Sequence, residues 1–517
     1  MNEIELLRTL VGNQASNPGD LKKALTTASG FLGINLEPQA KLMLPLFAGL
    51  RHRLATATPK QGAAQAQWRM QLGYGSFAFG AAAAFGTANG ANGAQTSESA
   101  TTIAADYKAL SINGGVQWEA IQQALGWDNA MSIDTMMALS LLMRLEEYIV
   151  LFGNEAAITM TTVTGEPSTL STDNTFSNAV WSVAVTAITG QGTLNNAEAN
   201  SNVGESLIAF DDISVGAGAC DFLDVSWPAV PGALGYKVYA NAVGGAGHTA
   251  AALFLCDPNT DLNYAKLSGG SYLAAYGDPI VVPDGQTYVT VNHVQIKAIP
   301  PNTQPIPPSV DGTANANVFE GIHSWMTKEA IYGTNLPFRN LVDMAGLPLT
   351  TAGTGILEFD QILKTQWQQN HTSPSLIVCS SNGVVSLGNH IAAAGNNSQL
   401  RLDVYQNRNN IVGGLYIGGY VNKFASSMAG MQTTIDVWAH PYMPDGTFEF
   451  ISEDIPPETY PYARTGKVFE LDVQTPYTYL PLGRTDRSFP YDVFLGETLK
   501  CYYPSAQAAI VGARVDS

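Results

Sequence analysis

Charge is what this chain has least of. Only 13% of its 517 residues are Asp, Glu, Lys or Arg, about half the roughly 25% usual in soluble proteins. So much neutral surface is either loop or ground covered by partners. Positive charge is scarcer still: 25 Lys and Arg against 43 Asp and Glu leave a net charge of −18. That argues against a general polyanion binder, because phosphate contacts need Lys and Arg. The four cysteines (Cys220, Cys256, Cys379, Cys501) are far apart with no CxxC pair. This spacing argues against a zinc knuckle or a disulfide framework and predicts buried free thiols in a reducing compartment. The best apolar run, FAFGAAAAFG from Phe77 to Gly86, falls short of the roughly 20 residues a membrane helix needs. The opening MNEIELLRTLVGNQ carries early acids and does not read as a secretory signal. The expectation is a soluble chain made in the cytoplasm.

Catalytic signatures are absent too. There is no Walker loop, HExxH, GxSxG, dinucleotide GxGxxG or zinc spacing. GYGSFAFG, Gly73 to Gly80, only loosely suggests a phosphate loop and lacks Lys. Seven histidines (His52, His248, His293, His323, His371, His390, His440) show no ligand spacing. His293 sits in an alternating stretch where a structural role is expected. The pairs Glu146/Glu147, Asp211/Asp212 and Glu453/Asp454 are adjacent in sequence. Helix neighbours diverge by about 100°, so Glu146/Glu147 reads as solvated surface. Asp211/Asp212 with Asp221 and Asp224 lacks the EF-hand spacing, and calcium is the weaker reading there. Asn370-His-Thr and Asn396-Asn-Ser match the glycosylation acceptor, with nothing to route the chain to a secretory pathway. No catalytic, cofactor-binding or metal-binding residue is expected, and the reading is a structural protein rather than an enzyme.

Hydrophobic residues make up 45% of the chain, enough for real cores, and the length allows two to four domains. Charge is unevenly placed. Glu155 to Val310 holds 13 acidic residues against 3 lysines and no arginine, whereas Met1 to Met70 carries 8 Lys and Arg against 4 Asp and Glu. Residues 1 to about 60 mix short helical patterns with Pro38 and Pro45 and read as an extended arm. From Gly62 to about Gly115 the chain turns Ala/Gly/Ser/Thr-rich with flanking aromatics. Such an excursion is usually functional or disordered, and it is expected to act in assembly. Ile133, Met136, Met137, Leu141, Leu145, Tyr148 and Phe152 recur at helical spacing before Gly153, predicting a long amphipathic helix. The period then switches to two in VWSVAVTAI, FLDVSW, GYKVY and TYVTVNHVQI, divided by turn clusters, which predicts a β-sandwich. PPNTQPIPPSVDG, Pro300 to Gly312, is a linker. Beyond it GILEFDQILKTQWQQN reads as helix, SLIVCSS as a buried strand, VVSLGNHIAAAG as helix, and ETLKCYYPSAQAAIVGA as a final strand region. Overall this is α+β.

DVSWPAVPGALGYKVYA resembles the B-to-C strand region of fibronectin type III domains, with Trp227 in the core and Tyr236 and Val238 on one inward face. WSVAVTAITGQG resembles another strand of such domains but precedes the tryptophan, which implies more than one sheet unit or a permuted arrangement. The flanking parts resemble the major capsid proteins of tailed bacteriophages, the HK97-like fold. The resemblance rests on the arm, the Gly/Ala-rich excursion, the helix ending RLEEYIVLFGNEAA, SLIVCSSNGVVSLGNHI, LRLDVYQNRNNIVGGLYIGGYVNKF and VWAHPYMPDGTFEFIS. It implies an N-terminal arm at 1–61 and an extended E-loop at 62–116. It further implies a spine helix and peripheral domain at 117–154, an inserted immunoglobulin-like or fibronectin-like sandwich at 155–311, and the axial domain with the remaining peripheral domain at 312–517. It also implies hexamers and pentamers of this chain in an icosahedral virion shell, assembled in a host bacterial cytoplasm. Expected partners are a separate scaffolding protein, a portal and weakly contacted double-stranded DNA; no membrane and no cofactor are expected. Some relatives cross-link through an E-loop lysine; here the excursion offers only Lys108, so non-covalent stabilisation is expected. Two rival readings are a cargo nanocompartment of the encapsulin kind and a cell-surface binding protein with a fibronectin-type module.

Overall fold

The computed structural model describes residues 49–58, 63–73, 99–124, 129–168, 176, 179–194, 204–216, 220–242, 253–256, 262–263, 279–281, 287–289, 291–302, 305–336, 340–344, 348–352, 355–370, 372–393, 417–425, 434–454, 466–484 and 486–515. Most of the arm expected over 1–61, including residues 1–48, and residues 74–98 of the excursion expected over 62–116 lie outside them. So do His248, His371, Asn396 and most of LRLDVYQNRNNIVGGLYIGG.

A single helical turn, α1 (Gly49–Arg53), and β1 (Ala55–Ala57) open the described chain. The excursion is narrower than its composition suggests. Its flanks form β2 (Gln65–Gly73) and β3 (Ser99–Asp106), an antiparallel pair in register from Gln65↔Asp106 to Gly73↔Ser99. Alternation puts Ala66, Trp68, Met70, Ile103 and Ala105 on one buried face. The Trp68 indole N–H donates to the Cys501 carbonyl at 2.7 Å. The next strand, β4 (Lys108–Gln117), leaves the excursion altogether and joins a sheet ordered β1-β24-β25-β4, where β24 is Phe469–Pro481 and β25 is Ser488–Cys501.

After the short α2 (Trp118–Ala124) comes α3 (Ala130–Phe152), laid against β4 and β25. Asn129 caps it by accepting from the Ser132 N–H at 3.2 Å. It ends at Gly153, as expected, but φ there is −53°, so left-handed geometry is not the reason. Space is: a Cβ on Gly153 would lie 2.1 Å from the Phe319 carbonyl oxygen.

Two antiparallel sheets follow. One is ordered β10-β9-β6-β7, from Phe254–Leu255, Gly235–Ala242, Val180–Ile188 and Ala209–Ser214. The other is β11-β14-β8-β5, from Leu262–Asn263, Val291–Ile296, Phe222–Pro228 and Thr164–Ser168. A one-turn α4 (Gly190–Leu194) follows β6. Alternate residues Trp181, Val183, Val185 and Ala187 of β6, Leu223, Val225 and Trp227 of β8, and Val294 and Ile296 of β14 share one core, separate from that of α3. Trp227 meets the Tyr236 ring edge-on at 5.4 Å, and the Tyr236 hydroxyl accepts from the Val230 N–H at 2.8 Å. The second face of β6 is buried as well. Ala184 packs with Tyr239 and Leu253, and Glu205 accepts from Thr186 (2.7 Å), Tyr239 (2.6 Å) and Lys237 (2.9 Å). Burial on both faces explains why VWSVAVTAI has so few polar residues.

Entry to and exit from these sheets run side by side. Asn154 donates to the Thr313 carbonyl at 2.5 Å, and Asn315 N–H donates back to the Asn154 carbonyl at 3.0 Å. The buried Lys328 ammonium bonds both Glu320 oxygens at 2.7 and 2.8 Å and the Ala156 carbonyl at 3.1 Å. One expectation needs correction. TYVTVNHVQI is not one strand: β13 (Thr287–Val289) pairs with β12 (Pro279–Val281) and, through Val289↔Asp343, with the edge of a third sheet, while β14 alone pairs with β8 in the second of the two sheets above. The segment 155–311 is therefore tied to the rest of the chain at this hairpin as well as at its ends.

That third sheet is mixed and eight-stranded, ordered β12-β13-β17-β26-β23-β20-β22-β21. Its remaining strands are β17 (Asn340–Asp343), β20 (Leu376–Cys379), β21 (Gly419–Val421), β22 (Thr434–Ala439), β23 (Phe448–Ile451) and β26 (Ala508–Val511). Leading to it are α5 (Ile322–Thr327) and two small hairpins, β15 (Ala330–Ile331) with β16 (Thr334–Asn335) and β18 (Thr351–Ala352) with β19 (Gly355–Ile356). The predicted helices are α6 (Leu357–Thr365), which runs on as a wider π turn over Gln366–Asn370, and α7 (Ser381–Ala393). Phe359 of α6 centres their core, 5.3 Å from Phe448 and from Tyr420 and 5.0 Å from Phe450. β20 is LIVC, buried at every position between two neighbours, which is why it reads as an unbroken apolar run. The architecture is α+β.

Candidate assembly interface

Helix α3 carries two apolar stripes with opposite fates. Ala138, Leu142 and Ile149 are buried. Met137, Leu141 and Leu145, at i, i+4 and i+8, remain 40, 43 and 39% exposed, and Met136 beside them is 56% exposed. The predicted stripe therefore splits: only Tyr148 and Phe152 at its end enter the core. Four large side chains on one exposed helix face form the kind of neutral patch that marks an interaction surface.

The patch continues into a cleft of about 500 Å³ between α2, α3 and β4, lined by Gly115, Val116, Ala120, Ala124, Ile133 and Met137. Its wall is held by the Tyr491 hydroxyl, which donates to Asp134 at 2.6 Å. Gly114 leaves room for that ring, since a Cβ there would lie 2.3 Å from Tyr491. Beyond the cleft, half-exposed Trp118 stacks on Phe489 at 6.0 Å, and the Arg484 guanidinium sits 3.5 Å over the same ring. The Trp118 N–H donates to the Arg487 carbonyl at 2.8 Å, which pins α2 to the β24–β25 hairpin. Tyr479, Leu480 and Leu482 are exposed on that hairpin. Aromatics and an arginine at the middle of a low-charge face are the composition favoured at interface cores.

The opposite side of α3 holds what sequence reasoning missed. Glu146 and Glu147, expected in solvent, are both fully buried. Glu147 accepts from the backbone N–H groups of Leu50 (2.8 Å) and Arg51 (2.9 Å) and lies 3.1 Å from His440 Nε2. Glu146 accepts from Arg51 Nε at 2.7 Å and from the Tyr477 hydroxyl. Glu497 on β25 is buried beside it; burial first, and then the Glu146 charge, raise its carboxyl well above the usual carboxylate range. A signal was present: Glu146 falls in register with buried Leu142 and Ile149, so a carboxylate on the inward stripe demanded partners from distant strands.

The other singled-out residues do not converge. His323 is buried 2.9 Å from Glu449, His52 is exposed, and His293 lies within β14. Asp211 and Asp212 stand on β7, accepting from Gly165 N–H and Ser182, while Asp221 and Asp224 lie at and on β8 of the other sheet. Glu453 pairs with Arg53 at 2.7 Å and Asp454 with Lys467 at 2.6 Å. Lys108 bonds Glu155 at 2.7 Å and the Ala316 carbonyl at 2.9 Å, so its amine is engaged within the chain. All four cysteines are buried free thiols, as expected; burial pushes Cys379 up to about 12.

No family model matches the chain, and no curated protein matches it. Solved structures that resemble it include the capsid asymmetric unit of cyanophage A-1(L), at 8% identity and a TM-score of 0.44, covering 95% of this chain and 99% of that one. The encapsulin of Synechococcus elongatus PCC 7942 resembles it at 8% identity and 0.38, covering 94 and 93%, and the capsid of the native GTA particle at 8% and 0.36, covering 96 and 100%.

Proposed function

We propose that the chain is a capsid-type shell subunit that assembles with copies of itself into a closed particle and has no catalytic role. The observation that carries this is the open apolar face of α3, continued by the α2 cleft and the β24–β25 hairpin. A chain with 13% charged residues that leaves such a face uncovered has a place for another copy, and identical copies joined head to tail close into rings. The finer reading is an icosahedral phage head of hexamers and pentamers around double-stranded DNA, with a scaffolding protein and portal as further partners. The acidic segment 155–311 would stand on the outside, where its charge avoids the packaged phosphates.

In that reading the paired sheets of 155–311 are an immunoglobulin-like sandwich with permuted connectivity. Sheet order β5-β8-β14-β11 parallels strands A-B-E-D, and β9-β6-β7 parallels C-F-G, with β10 beside C. Trp227 then ends strand B, and the F and G equivalents, β6 and β7, precede it in the chain. That supports the permuted arrangement over two separate sheet units.

Negative-stain microscopy of the purified full chain, alone and with its packaged contents retained, tests the proposal. Closed particles of uniform size are expected, holding genome-length DNA. An enzyme as the contents would shift the reading to a cargo compartment. A chain that stays monomeric to its solubility limit under every assembly condition would overturn the proposal.

A further inference from the structure

The outer face of α3 carries charge as well as an apolar stripe. Asp134, Met137, Leu141 and Arg144 recur at spacings of three, four and three, the seam by which one helix packs along another. Met137 and Leu141 are exposed and Asp134 and Arg144 are half-buried, whereas the next seam position, Tyr148, belongs to the chain's own core. The open seam is therefore four residues long, with an acid at its start and a base at its end. A tyrosine aims each charge. Asp134 accepts from the Tyr491 hydroxyl at 2.6 Å, and Arg144 Nε donates to the Tyr442 hydroxyl at 3.0 Å. Lys108, Lys237, Lys328 and Lys423 each hold a carboxylate of their own chain. Asp134 and Arg144 have no ion-pair partner among the described residues.

We propose that this seam is a two-fold contact: α3 of one copy packs antiparallel on α3 of a second, with Asp134 of each against Arg144 of the other. In reverse the seam runs base, apolar, apolar, acid, so it is its own complement. Antiparallel pairing about residue 139 sets Asp134 on Arg144 and Met137 on Leu141, and the two-fold axis repeats both pairs. Parallel pairing in register would set acid on acid and base on base, which is unfavourable. Helices packed this way lie about 8–10 Å apart, within reach of an arginine side chain. Asp134 also lines the cleft beside α2, so an incoming guanidinium finds open space next to the carboxylate. The proposal rests on the self-assembly reading and names the partner surface for part of that face. An isologous contact joins two copies and stops there, so it links rings that head-to-tail contacts close.

Charge exchange between full-length chains tests it, read by sedimentation velocity at low salt. Arg144→Glu alone and Asp134→Lys alone each place like charges at both pairs and should self-associate about tenfold more weakly than the unmodified chain. An equimolar mixture of the two variants restores an acid opposite a base at both pairs and should recover the association. Asp134→Lys gives up the Tyr491 bond, so cysteine pairing supplies an independent arm. Met137→Cys chain mixed with Leu141→Cys chain should oxidise to a disulfide-linked heterodimer faster than either chain links to itself. Single charge variants that associate like the unmodified chain, a mixture no stronger than its components, or cysteine variants that link no faster when mixed would each overturn the two-fold contact. Those results in a chain that still forms closed particles would leave the shell reading standing. An unmodified chain that never self-associates would overturn both.

Discussion

Replacing Leu141 and Leu145 together by Gln separates assembly from folding. Both side chains sit on the outer stripe of α3, about 40% exposed. Burying a Leu fully is worth about 1.5–3 kcal/mol, so the still-open part of each is worth about 0.6–1.2 kcal/mol and the pair about 2 kcal/mol on association. Two kcal/mol is about a 30-fold weaker contact, and a partner would also have to desolvate two amides. Folding should barely notice: Leu and Gln have similar helix propensity, and exposed substitutions usually stay within about 0.5 kcal/mol. Leu142, one residue further round and fully buried, is the control, with Leu142→Ala costing about 2–5 kcal/mol of folding stability. Urea denaturation of unassembled chain and sedimentation velocity of assembling chain give the two readouts. The double Gln variant should denature like the wild type and assemble poorly. A stability loss above about 1.5 kcal/mol would mean the outer stripe belongs to the subunit's own core. Unchanged assembly would mean that it is not the contact face.

Trp227→Ala should cost about 3–5 kcal/mol, confined to the paired sheets. Hydrogen exchange should rise in 180–188 and 222–242 and not in 138–152, and an equal rise in both would refute separate cores. Gly153→Ala places a Cβ 2.1 Å from the Phe319 carbonyl oxygen and 2.7 Å from that of Ile149, backbone atoms that cannot rotate away. Its cost should exceed about 2 kcal/mol, and an unchanged melting temperature would refute the close-approach account of that glycine.

Much of the fold was legible because local pattern reports local geometry. The switch from period 3.6 to period 2 after Gly153 located α3 and then β6, β8 and β9, and LIVC reported a strand covered on both faces. The spacing of Tyr236 and Val238, two apart, made one inward face legible, and both pack with Trp227 in one core. The exposed face of α3 was half legible. The apolar stripe of α3 is plain in the sequence, but a stripe announces only that it will be covered, not by what.

Tertiary structure decided the rest, because it depends on residues hundreds of positions apart. Glu146 and Glu147 look solvated until Arg51, Tyr477, Glu497 and His440 arrive from other elements to surround them. TYVTVNHVQI has one uninterrupted strand pattern, yet it is divided between two sheets because Asp343 pairs with Val289 while Trp227 pairs with Asn292. Period and propensity are properties of a few consecutive residues and were fixed in the chain itself; which face is buried, and which charge finds its counter-charge, are set by pairing between distant strands and exist only once those strands have met.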